Sequence, residues 1–148
     1  MSYKDWSIKG RDTTAAVPQC VIARGSQAEG NSIPGKLLGT FTGEVFLDRI
    51  LQHTNIAVAS VVFQPCARSN WHKHEGGQLL RVTAGSGWIQ DQGQKPIRIS
   101  IGDIIWAPPG TIHWHGADEG SFLVHETVSH GKIDWYGPVT DEEYAAKG

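Results

Sequence analysis

The strongest constraint on the fold is a succession of short apolar, often β-branched segments separated by glycine-containing turns. The segment at residues 56–63 reads IAVASVVF and predicts a buried strand. Gly85-Ser86-Gly87 is expected to turn the chain between two strands. The pattern predicts an all-β jelly-roll barrel. Its predicted extended segments are residues 44–51, 56–63, 71–74, 78–84, 88–91, 97–100, 104–107, 111–115 and 121–128.

The two ends of the chain differ from this central pattern. Residues 1–40 show no sustained hydrophobic period and are interpreted as an N-terminal arm or cover segment. Residues 41–148 form the predicted barrel together with one short C-terminal helix. Thr140 followed three residues later by Glu143 is a capping box, which predicts that the helix begins there.

Composition and charge narrow the classes of partner. The chain has 148 residues, enough for one domain, and its formal net charge of −2 disfavours nucleic acid or an anionic membrane as a partner. The first residues lack the apolar core of a signal peptide, and no apolar stretch approaches the ~20 residues that cross a bilayer. A cytoplasmic protein is therefore expected, with Cys20 and Cys66 reduced and unpaired, and a Cys20–Cys66 bridge stays open as the alternative.

Two histidine pairs carry the chemical signal. His72 and His74 are two residues apart, as are His113 and His115, and residues at this spacing on a strand point to the same face. Four imidazoles on a buried face are costly because neutral rings need partners and charged rings repel each other. A bound metal ion would remove that cost.

The residues around these histidines resemble the two motifs of the cupin superfamily. In the first, His72-x-His74 is followed by three residues, Gln78, six residues and Gly85. In the second, Gly102 is followed by five residues, Pro108-x-Gly110, two residues and His113. Cys66 and Ala117 stand where the motifs have Gly and Asn, and Gln78 stands where the first motif has Glu. The resemblance implies a single double-stranded β-helix that binds one divalent metal.

The exchange of glutamate for Gln78 changes the charge of the implied site. Three neutral imidazoles and one neutral amide would leave the ion its full double positive charge, which favours Lewis-acid chemistry. No ligand anion would stabilise a higher oxidation state, so activation of dioxygen is disfavoured. Nitrogen and oxygen ligands suit Mn, Fe, Co, Ni or Zn.

A longer set of residues is similar to the manganese-dependent bacterial cupin hydroxynitrile lyases, and to small cupins described beside carboxymuconolactone decarboxylases. The similarity extends from about Phe41 to Tyr144 and includes the blocks Trp71-His72-Lys73-His74 and His113-Trp114-His115-Gly116-Ala117. It implies a manganese site formed by His72, His74, Gln78 and His113. It also implies that the additional active-site histidines are His115 and His125, which we expect to move a proton. The implied reaction cleaves a cyanohydrin to an aldehyde and hydrogen cyanide, or reverses that cleavage.

Three functions therefore stay open at this stage. The first is a metal-dependent lyase that acts on a small hydroxylated or carbonyl compound. The second is an iron dioxygenase, which would consume oxygen, and the third is a cupin that binds a small molecule without turnover. A homodimer is expected for each, since a barrel of this kind has exposed edges.

Overall fold

The computed structural model describes residues 18–23 and 32–147. Within these residues the chain forms twelve strands and one α-helix. The predicted arm at residues 1–40 lies largely outside the described residues, and Ser32–Pro34 of it forms the first strand. The elements are β1 (Ser32–Pro34), β2 (Phe41–Thr42), β3 (Val45–His53), β4 (Ile56–Phe63), β5 (Arg68–Ser69), β6 (His72–His74), β7 (Gln78–Asp91), β8 (Ile97–Ser100), β9 (Ile104–Ala107), β10 (His113–Ala117), β11 (Leu123–His130), β12 (Ile133–Trp135) and α1 (Asp141–Ala145).

The strands form a strongly curled antiparallel sheet in which β7 takes part in both layers. The neighbour order is β1-β3-β4-β11-β7-β10-β5-β2, while β8 and β9 also pair with β7. β6 pairs with β10 on one side and with β12 on the other. Residues 78–85 of β7 pair with β11, and residues 87–91 pair with β10. The prediction of an all-β barrel of the double-stranded β-helix type with one short helix is confirmed.

The prediction of a turn at Gly85-Ser86-Gly87 is wrong, because β7 continues through it without a break. Gly85 has a φ of +73°, a left-handed conformation that glycine adopts at little cost. A Cβ at Gly85 would collide with the carbonyl oxygen of Phe122, and one at Gly87 with the carbonyl oxygen of Gly116. These glycines therefore allow one strand to cross from one layer to the other against closely packed neighbours.

The hydrophobic core lies between the two layers and borders the histidines, since the ring of Phe63 is 5.9 Å from that of His115 and 5.2 Å from that of His125. Phe63, Leu80 and Leu123 are fully buried there. Each lies on the inner face of its strand, since the residues directly before and after it in sequence are more exposed. Burial of each such side chain stabilises the fold by roughly 1.5–3 kcal/mol. The other buried members are Val45, Val61, Ala67, Val82, Ile89, Ile99 and Ala117.

The C-terminal helix fastens the strand that carries His113 and His115. The predicted capping box is confirmed, since Thr140 Oγ1 accepts from the Glu143 amide and Glu143 Oε1 accepts from the Thr140 amide, both at 3.1 Å. The Tyr144 hydroxyl donates to the carbonyl oxygen of Ala117 on β10 at 2.6 Å. Buried Arg68 donates to the carbonyl oxygen of Val139, at 3.2 Å and 2.9 Å from two of its nitrogens. The Tyr144 contact ties the helix to β10, and the Arg68 contact ties the segment before the helix to β5, which pairs with β10.

Two sequence predictions on membrane spans and cysteines can be compared with the structure. Among the described residues, no helix has the length and apolar character required to cross a membrane. Cys20 and Cys66 are both exposed and form no disulfide with any other described residue.

We expect Gly87→Ala to destabilise the protein by about 2 kcal/mol or more, because the added methyl group must displace the backbone of β10. Gly120→Ala is the matched control. A Cβ at Gly120 has no neighbour within 4 Å, so its effect should stay within about 0.5 kcal/mol. Urea unfolding of both variants measures the difference. Equal stabilities would contradict the role given to Gly87.

Candidate metal centre

Three buried histidines from two strands meet inside the barrel. His72 and His113 are directly opposed in the antiparallel pair of β6 and β10, and their ring centroids lie 4.4 Å apart. His74 lies two residues further along β6 and shares the inner face. One nitrogen from each of the three rings lies within 4.8 Å of the others. This cluster could hold a metal ion.

Backbone carbonyl groups orient two of the three rings. His72 Nδ1 donates to the carbonyl oxygen of Asn70 at 2.9 Å, and His113 Nδ1 donates to that of Thr111 at 2.9 Å. A carbonyl oxygen can only accept, so each Nδ1 carries the proton of a neutral ring and each Nε2 keeps a free lone pair. Such outer hydrogen bonds are typical of metal-binding histidines because they select the tautomer that coordinates.

Gln78 presents its amide oxygen to the same cluster. Its Nε2 donates to the hydroxyl of Ser129 at 3.0 Å, which directs the oxygen to the other side. That oxygen lies 3.3 Å from Nε2 of His113. Because His113 donates through Nδ1, its Nε2 lone pair faces a second acceptor. Two acceptors at this distance repel each other, and a cation coordinated by both would turn that repulsion into attraction.

His74 supports the same conclusion. Both of its ring nitrogens are buried and neither makes a hydrogen bond of good geometry among the described residues, although the side chain of Gln78 lies near enough to oppose the lowering of the His74 pKa. An unpartnered buried polar atom costs about 1–3 kcal/mol. Coordination of a divalent ion would satisfy one of these nitrogens, and would use the free lone pairs of His72 and His113 as well. The donors present therefore fit a divalent metal.

His115 and His125 form a second buried pair next to the cluster. His125 Nε2 and His115 Nδ1 are 2.9 Å apart and share one proton in a hydrogen bond. The two outer nitrogens, Nε2 of His115 and Nδ1 of His125, are buried without a partner in the described part of the chain. The His115 ring centroid is 5.1 Å from that of His72, so the pair adjoins the candidate metal site.

Burial keeps these imidazoles neutral. Loss of water lowers the pKa of His74 and of His125 to about 4. Burial also holds the pKa values of His72 and His115 well below 6.5, and nearby histidines lower them further because positive charges repel. The pKa of His113 is lowered by burial too. At neutral pH the cluster therefore offers lone pairs and no positive charge.

A cavity of about 490 Å³ leads from the surface to the histidines. Its walls are mainly apolar and come from β3, β4 and β12. Trp135 forms part of the wall and packs on His72, with ring centroids 4.6 Å apart. The volume suits a small organic molecule. Besides Trp135, the lining includes Leu47, Arg49, Ala57, Ala59, Val61, His115, His125 and Thr127.

The structure brings together all six residues that the sequence singled out: His72, His74, Gln78, His113, His115 and His125. Two further contributors were missed. Ser129, which orients Gln78, follows His125 by four residues on β11, so strand alternation could have indicated it. Trp135 reaches His72 through the pairing of β12 with β6, and no local pattern indicates that contact.

Comparison with known proteins agrees with this geometry. Residues 59–125 match a protein-family model described as a cupin domain. The chain is 43% identical over 127 residues to "(R)-mandelonitrile lyase" of Granulicella tundricola, with 81% of this chain and 94% of that protein covered. A crystal structure of a cupin-like protein from Thermotoga maritima matches with a TM-score of 0.68 and 36% identity, covering 85% of this chain and 95% of the other. A "predicted oxalate decarboxylase" from the same organism shares the fold alone, at a TM-score of 0.62 and 23% identity over 76% of this chain and all of the other.

The free energy of unfolding of the metal-free protein should fall as the pH is lowered from about 7 to about 4. In the unfolded chain a histidine binds a proton below a pKa of about 6.5, whereas folded His74 and His125 bind one only near pH 4. The unfolded state therefore gains protons first, and the loss of stability levels off below the folded pKa. Each unit of difference is worth about 1.4 kcal/mol per group.

Urea unfolding of chelator-treated protein across this pH range measures the effect. His125→Leu removes one of the buried imidazoles and should give a shallower slope than the unaltered chain. A stability that does not change between about pH 7 and about pH 4.5 would contradict the burial of neutral rings.

Proposed function

The chain belongs to the cupin family, and from that premise we propose that it is a divalent-metal-dependent lyase. The proposed reaction cleaves or forms a C–C bond in a small hydroxylated or carbonyl compound. Its specific form is the interconversion of a cyanohydrin with an aldehyde and hydrogen cyanide. The name of the relative from Granulicella tundricola supports this form, since 94% of that protein aligns with this chain.

One observation carries the proposal: acceptor atoms that face one another without a proton between them. We propose His72, His74, Gln78 and His113 as the metal ligands, and manganese as the first metal to test. The opposed lone pairs of Gln78 and His113 and the unpartnered nitrogens of His74 support this set. All four donors are neutral, so a bound divalent ion supplies a strong Lewis acid for a negatively charged group.

We propose that His115 and His125 move the proton. In their shared hydrogen bond, one ring donates and the other accepts. If His115 Nδ1 donates, then His115 Nε2 is a free acceptor and His125 Nδ1 carries a proton; the opposite tautomers exchange these roles. Either way the neutral pair has one outer nitrogen that can take a proton and one that can give it. Such a pair suits a reaction that removes a hydroxyl proton and later protonates a leaving group.

The cavity walls position the substrate and exclude water from the histidine end of the cavity. Leu47 and Val61 bring apolar surface to the histidine end, and Trp135 offers an aromatic face. A small apolar group packed there would leave its polar end facing His115 and His125. Exclusion of water strengthens the hydrogen bonds made at that end.

Elemental analysis of purified protein tests the ligands. We expect about one divalent ion per chain. His113→Ala should lose most of it, because the change removes one of the three proposed imidazole ligands. His53→Ala is the matched control, since His53 is exposed at the end of β3. Full metal content in His113→Ala, or none in the unaltered chain with any of Mn, Fe, Co, Ni and Zn, would sink the proposed site.

The proton role predicts a different outcome for the second histidine pair. His115→Ala and His125→Ala should each keep the metal and lower the rate of mandelonitrile cleavage by about 10²–10⁴-fold. The assay follows benzaldehyde release after reconstitution with each metal. Unchanged rates in both variants would contradict the assignment.

The same samples separate the lyase from the other two functions. Oxygen consumption by the ferrous protein, without cleavage, would identify a dioxygenase. Tight retention of a small molecule without product would identify a binding protein. Gln78 disfavours the dioxygenase because a neutral ligand does not stabilise oxidised iron.

A further inference from the structure

The cavity wall contains one charged side chain among the lining residues that the structure describes, Arg49. The described lining residues include no aspartate or glutamate. Arg49 lies on β3, far in sequence from the histidine motifs. Because an arginine in an otherwise uncharged cavity creates a positive potential there, the residue bears on which substrate can enter.

Strand pairing places Arg49 on the inner face of the barrel. Arg49 is directly opposite Ala59 on β4, and Ala59 is opposite Thr127 on β11. Thr127 is buried and lines the cavity. Opposed residues of antiparallel strands share a face, so Arg49 extends from the inner face towards the opening. An irregularity in β3 between Arg49 and Leu51 locally bends the strand at this point.

The distance from Arg49 to the histidine end suits a small bifunctional molecule. The next inner row towards the core contains Leu47, Val61 and His125. Successive inner rows are about 7 Å apart, and β3 is separated from β11 by one strand, or about 10 Å. Ala57 and Ala59 on that intervening strand have short side chains and leave the space open. A molecule of benzene-ring length can therefore contact both ends.

The charge of Arg49 is not compensated within the described part of the chain. It makes no ion pair and no side-chain hydrogen bond there, whereas Arg68, Arg98, Lys132 and Lys147 each pair with an acid. Among the described residues the guanidinium group thus has no competing acid, and we take it as available to an anion. Its planar set of donors matches the two oxygens of a carboxylate.

We propose that the natural substrate is a small carboxylic acid whose carboxylate is bound by Arg49. Its hydroxyl or carbonyl group, separated from the carboxylate by a short apolar spacer, lies at the histidine end. This inference rests on the lyase function proposed above and names its substrate class. It makes Arg49 the residue that distinguishes an anionic substrate from a neutral one of the same shape.

Calorimetric titration of manganese-loaded protein with 4-formylbenzoate and with 4-formylbenzamide tests the inference. The two compounds differ in charge but hardly in size. We expect the acid to bind about tenfold more tightly, as a charge-assisted hydrogen bond allows. Arg49→Gln should abolish the preference, and Arg49→Lys should keep part of it. Arg81→Gln, which removes the same charge from a residue of β7 outside the cavity wall, should leave the preference intact.

Repeating the titration with metal-free protein separates Arg49 from the ion. The preference for the acid should persist there and weaken as salt is added. Equal affinities for the two compounds in the unaltered chain, or an undiminished preference in Arg49→Gln, would overturn the inference. Cyanohydrin formation from both aldehydes is assayed in parallel. A preference for the acid without any turnover would refute the lyase function while supporting carboxylate binding by Arg49.

Discussion

The repulsion between unprotonated acceptors inside the barrel is the constraint on which the site depends. Burial removes protons from the histidines by lowering their pKa values, and the carbonyl groups of Asn70 and Thr111 hold two rings with their lone pairs inward. Ser129 turns the oxygen of Gln78 towards the same point. Each of these contacts alone would be ordinary. Together they concentrate the negative ends of dipoles at one buried point, which a bound cation would stabilise.

The fold maintains this arrangement with contacts remote from the histidines. β6 and β10 are short strands, so their pairing alone would hold His72 and His113 loosely. Tyr144 and Arg68 tie the C-terminal segment to the back of the same layer, through the carbonyl oxygens of Ala117 and Val139. The helix α1 thus adds rigidity to the layer that carries the proposed ligands, and a metal site requires its ligands to be held within about 0.5 Å of the productive geometry.

Charge connects the proposed ligands with the proposed substrate. A neutral ligand set leaves a bound ion its whole charge, and the lining residues that the structure describes include no carboxylate to offset it. Arg49 at the opening has the same sign. These features favour anionic substrates or transition states, and they disfavour chemistry that oxidises the metal. The neutral pair of His115 and His125 can exchange protons in such a field because it carries no charge of its own.

The sequence by itself determined the strand-rich architecture, the capped helix and the pairing of His72 with His74 and of His113 with His115 on one face. These features follow from local rules of alternation and capping. The positions of Gln78 and His113 in the two sequence motifs identified them as further candidate ligands. Only the tertiary structure decided that β7 continues through its glycines, that His125 meets His115, and that Arg49 lines the cavity. Those outcomes depend on which distant strands pair and in which register, and on how closely two backbones approach. No pattern of neighbouring residues specifies these quantities.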